Sequence, residues 1–258
     1  MANDLKKQKG NADFLSGWQT AVAIKGKNLF DAIQRGDETK VKRLIQEGVP
    51  ASNINPKGQT AAHIAAREGN LEIFKYLLSE NDSLLEVKDK TGRNVLHTSV
   101  ENGSINIVRY LIEDYKLNVF HTSNIFQGNS AVHLAAIRGH TEILKYFIQR
   151  LHIDVNKVNN EGEPLIFLAA ENANLPTLKY RLEQCHADIT VTDYENRNIL
   201  FPAALSRDIT VLRYILEKKN THLNINWRDK EGRTVLHWSV LNNYVKISQY
   251  IIDIKHAR

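Results

Sequence analysis

Four histidines, His63, His97, His133 and His237, recur in one local setting along this chain of 258 residues. Histidine is the commonest metal ligand and the usual acid–base group near neutral pH. Two nitrogens on one zinc must each lie ~2.0–2.1 Å from the metal. Neighbouring packed helices hold their axes ~8–10 Å apart, so residues repeated one per helix do not converge on a single ion. A structural role is therefore expected for all four, with no metal and no cofactor. Cys185 beside His186 is the only juxtaposition of thiol and imidazole. Sequence neighbours seldom aim at each other, and catalytic Cys/His pairs meet through the fold. No Gly-rich phosphate loop, His-Glu-x-x-His, Gly-x-Ser-x-Gly or kinase signature is present. No enzyme is expected.

A second row is more regular. Tyr76, Tyr110, Tyr146, Tyr180, Tyr214 and Tyr250 recur in one slot, and the first five follow Lys75, Arg109, Lys145, Lys179 and Arg213. Aromatics interleaved with cations can bind nucleic acid. Adjacent residues of a helix point about 100° apart, which favours tyrosines packed between units and cations in water.

These positions recur because the chain itself recurs, every 33 to 36 residues. A unit of that length cannot bury its own hydrophobic face, so like units must stack. In residues 55–88, Pro56-Lys57-Gly58 makes a turn and Thr60 caps a short helix over 61–67. Gly69 ends that helix, and Leu71, Phe74, Leu77 and Leu78 mark a second one over about 71–79. The cap slot recurs as Asn94, Ser130, Asn198 and Thr234. The helix-ending slot recurs as Gly36, Gly103, Gly139 and Asn243, residues that accept φ > 0 most cheaply. Ala65-Ala66 returns as Ala135-Ala136, Ala169-Ala170 and Ala203-Ala204.

With these phrases in view (Thr60-Ala61-Ala62-His63, Asn94-Val95-Leu96-His97, Ser130-Ala131-Val132-His133, Thr234-Val235-Leu236-His237) the chain resembles an ankyrin-repeat protein over about nine-tenths of its length. The resemblance implies an all-α solenoid of helix-turn-helix units with projecting turns, whose first helices and turns form a concave face. It also implies that the signature histidine bonds to backbone near the turn. Six repeats are expected from Asn55, Asp89, Ser123, Asn159, Asp193 and Asp229, after a capping-type unit over 28–54 and an extension over 1–27. That extension either packs on the first helices or forms a mobile tail.

Repeats four and five break the pattern. Pro164 takes the cap slot, and Phe167 and Phe201 replace the histidine. Pro202 falls inside the first helix of repeat five, and Arg207 takes the slot for φ > 0. Either that unit is bent, or its helix starts later. The last helix is as apolar as an internal one (Val245, Ile247, Tyr250, Ile251, Ile252, Ile254), whereas a terminal unit needs a polar outer face. Either more sequence follows, or this end is covered by a partner or a second copy.

Composition narrows the function. The formal charge is +5, 24% of residues are charged, and no block of like charge occurs, so a nucleic-acid tract is not indicated. One cysteine excludes an intrachain disulfide and suits a reducing compartment. No apolar run approaches a membrane span of ~18–20 residues, and the polar first residues do not read as a secretory signal. A cytosol is the expected compartment. The chain also resembles ankyrin effectors that intracellular bacteria deliver into host cells, as well as eukaryotic scaffolds.

The positions the fold leaves free are turn tips and first-helix ends. The tips hold Lys57, Gln59, Lys90, Arg93, Phe126, Gln127, Glu161, Glu163, Tyr194, Arg197, Lys230 and Arg233. The helix ends hold Arg67, Glu68, Glu101, Asn102, Ile137, Arg138, Glu171, Asn172, Leu205 and Leu241. Phe126, Ile137, Tyr194, Leu205 and Leu241 are apolar or aromatic where water is expected, as binding anchors are. The expected function is a scaffold that grips a partner protein or extended peptide over repeats two to five. The alternatives are the targeting arm of a larger enzyme, and nucleic-acid binding through the second-helix cations.

Overall fold

The computed structural model describes residues 25–121, 128–154, 156–218 and 223–256. Phe126, Gln127 and most of the 1–27 extension lie outside them. The helices divide into two compact units, Met1–Lys116 and Leu117–Arg258.

The first unit holds α1 (25–34) and α2 (Glu38–Gln46), then α3 (Ala61–Glu68), α4 (Leu71–Glu80), α5 (Val95–Glu101) and α6 (Ile105–Glu113). The second holds α7 (Ala131–Ile137), α8 (Thr141–Leu151), α9 (Leu165–Glu171), α10 (Leu175–Lys179), α11 (Leu200–Leu205), α12 (Ile209–Glu217), α13 (Val235–Leu241) and α14 (Val245–His256). From α3 onward, a short first helix alternates with a second one. Within each unit first helix packs on first helix, as α3 on α5 and α7 on α9, α9 on α11 and α11 on α13.

The short helices exist because both ends are closed locally. At α3 the Thr60 N–H donates to His63 Nδ1 at 3.3 Å, and the Thr60 hydroxyl lies 2.9 Å from the same nitrogen. Since Nδ1 accepts, Nε2 carries the hydrogen and donates to the Arg93 carbonyl at 3.2 Å. Ser130 with His133 and Thr234 with His237 repeat the first pair. Asn94 instead accepts from the His97 N–H. His63, His133 and His237 thus bond backbone beside the turn, as the family resemblance implies, while the His97 ring meets the Asn94 side chain at 2.6 Å. At the other end Gly69 has φ 73°. Ala173, Arg207 and Asn243 hold the equivalent slot at φ 55°, 61° and 57°.

Repeat five keeps its place by the later start. The α11 helix begins at Leu200, after Asn198 accepts the Leu200 N–H, so Pro202 is its third residue and no helical N–H is lost there. The irregular second helix belongs to repeat four instead. After α10 the chain widens into a π-helical turn over Tyr180–Gln184, closed by the Cys185 N–H on the Tyr180 carbonyl at 3.2 Å.

One turn device is shared by nearly every repeat. The first residue (Asn55, Asp89, Asn159, Asp193, Asp229) accepts through Oδ1 from the backbone N–H two and four residues later. Successive tips then bond to each other, Lys90 N–H to Lys57 O in the first unit. In the second unit Tyr194 N–H donates to Glu161 O and Lys230 N–H to Glu195 O.

Within each unit the tyrosine row packs as a ladder. In the first unit Lys42 lies over Tyr76 and Lys75 over Tyr110, each one repeat on, 5.6 and 5.2 Å from the ring centroids. In the second unit Lys145 lies on Tyr180, Lys179 on Tyr214 and Arg213 on Tyr250, each at 5.5 Å. The cations were expected in water; they also bind the second helices together at this ring distance.

Candidate partner-binding surface

In the first unit the expected contact residues pair among themselves. Arg67 bonds Glu68 at 2.9 Å, and Arg93 bonds Glu101 from the turn to the end of α5. The Asn102 amide is turned back onto the Thr98 carbonyl at 2.9 Å.

The second unit holds a longer network. Buried Asn159 donates to Glu163 Oε2 at 2.8 Å, and Arg197 reaches Glu163 Oε1 at 3.6 Å. Glu163 is thus a buried link rather than an exposed tip. Arg197 also pairs with Asp193, one of the turn residues. One repeat later Arg233 pairs with Asp229 at 2.8 Å, and the Trp238 Nε1–H donates to the same carboxylate oxygen at 2.8 Å. The Arg197 and Arg233 guanidinium groups lie over the Trp238 ring at 5.7 and 4.7 Å, and Phe201 meets its edge at 6.2 Å. Trp238 is half-buried and held from several directions.

Electrostatics follow the burial. Desolvation would raise the Asp229 carboxyl, but donors from Trp238 and Arg233 outweigh it and leave it below the usual range. Burial raises Glu163, and neighbouring Glu171 and Glu161 add to the rise. Burial also raises Glu171 against the pull of Arg197. Arg197 is therefore shared among several carboxylates.

The apolar candidates differ in exposure. Tyr194 is 60% exposed and its ring covers the backbone of Gly162, where an added Cβ would sit 2.5 Å from the ring. Ile137 and Leu205 are half-buried, Arg138 is exposed, and Leu241 is 72% exposed. Val240 and Val245 are 61% and 69% exposed, although Ala136, Ala170 and Ala204, in Val240's slot, are buried. His237, unlike the other three, is exposed. A cleft of about 350 Å³ is lined by residues 242–247 and by Arg207, whose guanidinium lies 4.9 Å from the Tyr244 ring.

Trp238 was missed by the reading of the sequence. Its slot holds Ile64, Thr98, Leu134, Leu168 and Pro202 in the other copies, so an indole there was a visible departure.

Burial also sets a pH response. Desolvation, with Lys157 nearby, lowers His133 to about 4, and burial lowers His63. The unfolded chain takes up a proton below its ordinary ~6.5 while the folded ring stays neutral. Stability is therefore complete above pH ~6.5 and falls as pH drops toward 4, by on the order of 2–3 kcal/mol for His133. Glu163, raised when folded, acts in the opposite sense. Urea unfolding at pH 7 and pH 4.5 should show the decline, and His133→Phe should flatten it.

A family model for ankyrin repeats matches in three copies, over residues 29–123, 115–193 and 166–257. The chain belongs to the ankyrin-repeat family, whose units are protein–protein interaction modules and in general not catalytic. It is 34% identical over 102 residues to a putative ankyrin repeat protein of Rickettsia bellii (strain RML369-C), covering 38% of this chain and 14% of that one. It is 37% identical over 84 residues to protein phosphatase 1 regulatory subunit 27 of Mus musculus, covering 32% and 54%. Ankyrin repeat and SOCS box protein 3 of Bos taurus is 31% identical over 86 residues, covering 33% and 16%. The chain thus spans between 14% and 54% of these relatives' lengths. Among the described residues no helix is long and apolar enough to cross a membrane.

Proposed function

We propose that this protein is a binding scaffold, and that the unit Leu117–Arg258 grips a partner protein through its first helices and turn tips. The observation that carries this is the half-buried Trp238, fixed by Asp229, Arg197, Arg233 and Phe201, in a unit that also exposes the apolar side chains of Tyr194, Val240 and Leu241. A pre-ordered aromatic loses little freedom when a partner covers it, which is how interface anchors gain affinity. Tyr194, Leu205 and Leu241 extend the apolar contact, and Glu161 and Glu171 supply a charged rim. The cations of the second helices are already stacked on tyrosines, which favours a protein partner over nucleic acid.

Affinity capture from a lysate, read by mass spectrometry, tests this. The double variant Tyr194→Ala/Leu241→Ala should recover the specific partner at about one-tenth or less of the wild-type yield. A second-helix variant, Lys179→Ala, should keep it. Equal recovery by wild type and double variant removes the proposed placement. A second reading, the targeting arm of a larger assembly, is favoured by the matched segments making up only 14% and 16% of two relatives.

A further inference from the structure

Two slots on the buried face of the second helices change character only in repeat four. One holds Ile73, Ile107, Ile143, Val211 and Ile247, but Thr177 in α10. The slot one turn later holds Leu77, Leu111, Phe147, Ile215 and Ile251, but Arg181 in the π-helical turn. The apolar members are at most 1% exposed, and Thr177 and Arg181 are both 0% exposed. Four residues apart, the hydroxyl and the guanidinium share one face.

Thr177 has a partner, the Thr141 hydroxyl at 2.8 Å. Arg181 has none: Nε, Nη1 and Nη2 all lack a hydrogen-bond partner among the described residues. Burial lowers its pKa to about 10, so the group stays charged at neutral pH. Cys185, Tyr180 and then Asp154 favour the charged form against that burial, but Asp154, the carboxylate among them, is exposed and its Oδ1 already accepts the Asn156 N–H at 2.9 Å. A buried guanidinium without acceptors is costly, and native interiors pair such groups. The backbone opens at the same turn, and π-turns inside helices often mark functional sites.

We propose that this seam in the core of repeat four binds one small inorganic oxyanion of the phosphate or sulfate kind, held by the Arg181 guanidinium. The planar fork of donors matches two oxygens of such an ion and its charge offsets the cation. Zero exposure selects the ligand's size. A phosphate carried on a macromolecule cannot reach Arg181 without unwinding the helix, whereas a free ion can be enclosed as the repeat folds. The site is independent of the partner surface around Trp238.

Thermal melts in rising inorganic phosphate, with chloride holding ionic strength constant, test it. The wild type should gain about 3 °C or more and saturate. Arg181→Leu, carrying a residue type the slot holds elsewhere, should melt higher in chloride and not respond to phosphate. An equal response by both proteins, or no saturable wild-type response, overturns the site. Should the variant fail to fold, ion chromatography of acid-denatured wild type after desalting from phosphate decides. About one phosphate per chain is expected, and none overturns the proposal.

Discussion

Asp229→Ala should lower the stability of the unit Leu117–Arg258 by about 3 kcal/mol. Its Oδ1 accepts the N–H groups of Glu231 and Arg233, and its Oδ2 accepts from Arg233 Nε and Trp238 Nε1. The residue is 5% exposed, so water does not readily replace the carboxylate. Alanine would free the turn and leave the indole N–H unpaired in a partly dry site. Asp229→Asn keeps an oxygen for the turn and should cost about half as much. Urea unfolding gives the stability, and near-ultraviolet circular dichroism should show the indole band weaken in the alanine variant. A loss below about 1 kcal/mol with the band intact would mean that Trp238 is held mainly by packing.

Phe167→His should destabilise by about 3 kcal/mol, even though histidine holds this slot in four repeats. In those repeats the ring nitrogen meets a polar cap residue, as His63 meets Thr60. In repeat four the cap is Pro164, which has neither an N–H nor a hydroxyl. Phe167 is 1% exposed, so an imidazole there would lose apolar burial and leave Nδ1 without its donor. The paired change Pro164→Thr/Phe167→His should recover at least about 1 kcal/mol of that loss, which a double-mutant cycle reads directly. Additive costs would mean the two slots are not coupled.

That coupling explains what could be read from sequence. Helix caps and Gly69-like ends are local, spanning three or four residues, so Thr60, His63 and Gly69 announced their roles. Arg207 announced its positive φ for the same reason, and Ala173 should have been read with it. The late start of α11 was one of two open readings because Pro202 alone does not say which way the chain yields. Contacts from one repeat to the next were harder. The stacking of Lys145 on Tyr180 or Arg213 on Tyr250 depends on the offset between units, which no single repeat contains. Arg93, Arg197 and Arg233 were expected at free tips; each curls onto a carboxylate placed by the fold. Arg181 and Trp238 were legible in principle, since each breaks a slot that is otherwise aliphatic or small. What their slots do not reveal is the environment, since the burial of Arg181 and the fixing of Trp238 depend on contacts between repeats.

These departures lie on different parts of the second unit. Trp238 and its arginines belong to the proposed partner surface with Tyr194 and Leu241, while Arg181 is fully buried in repeat four. Partner affinity and oxyanion response should therefore respond to different substitutions.

The dissociation constant of the captured partner, measured by calorimetry for wild type, Tyr194→Ala/Leu241→Ala and Lys179→Ala, tests the scaffold reading most directly. The account predicts that the double variant binds about 100-fold more weakly while Lys179→Ala matches wild type. Unchanged affinity in the double variant, with a loss in Lys179→Ala, would contradict it and move the interface to the second helices.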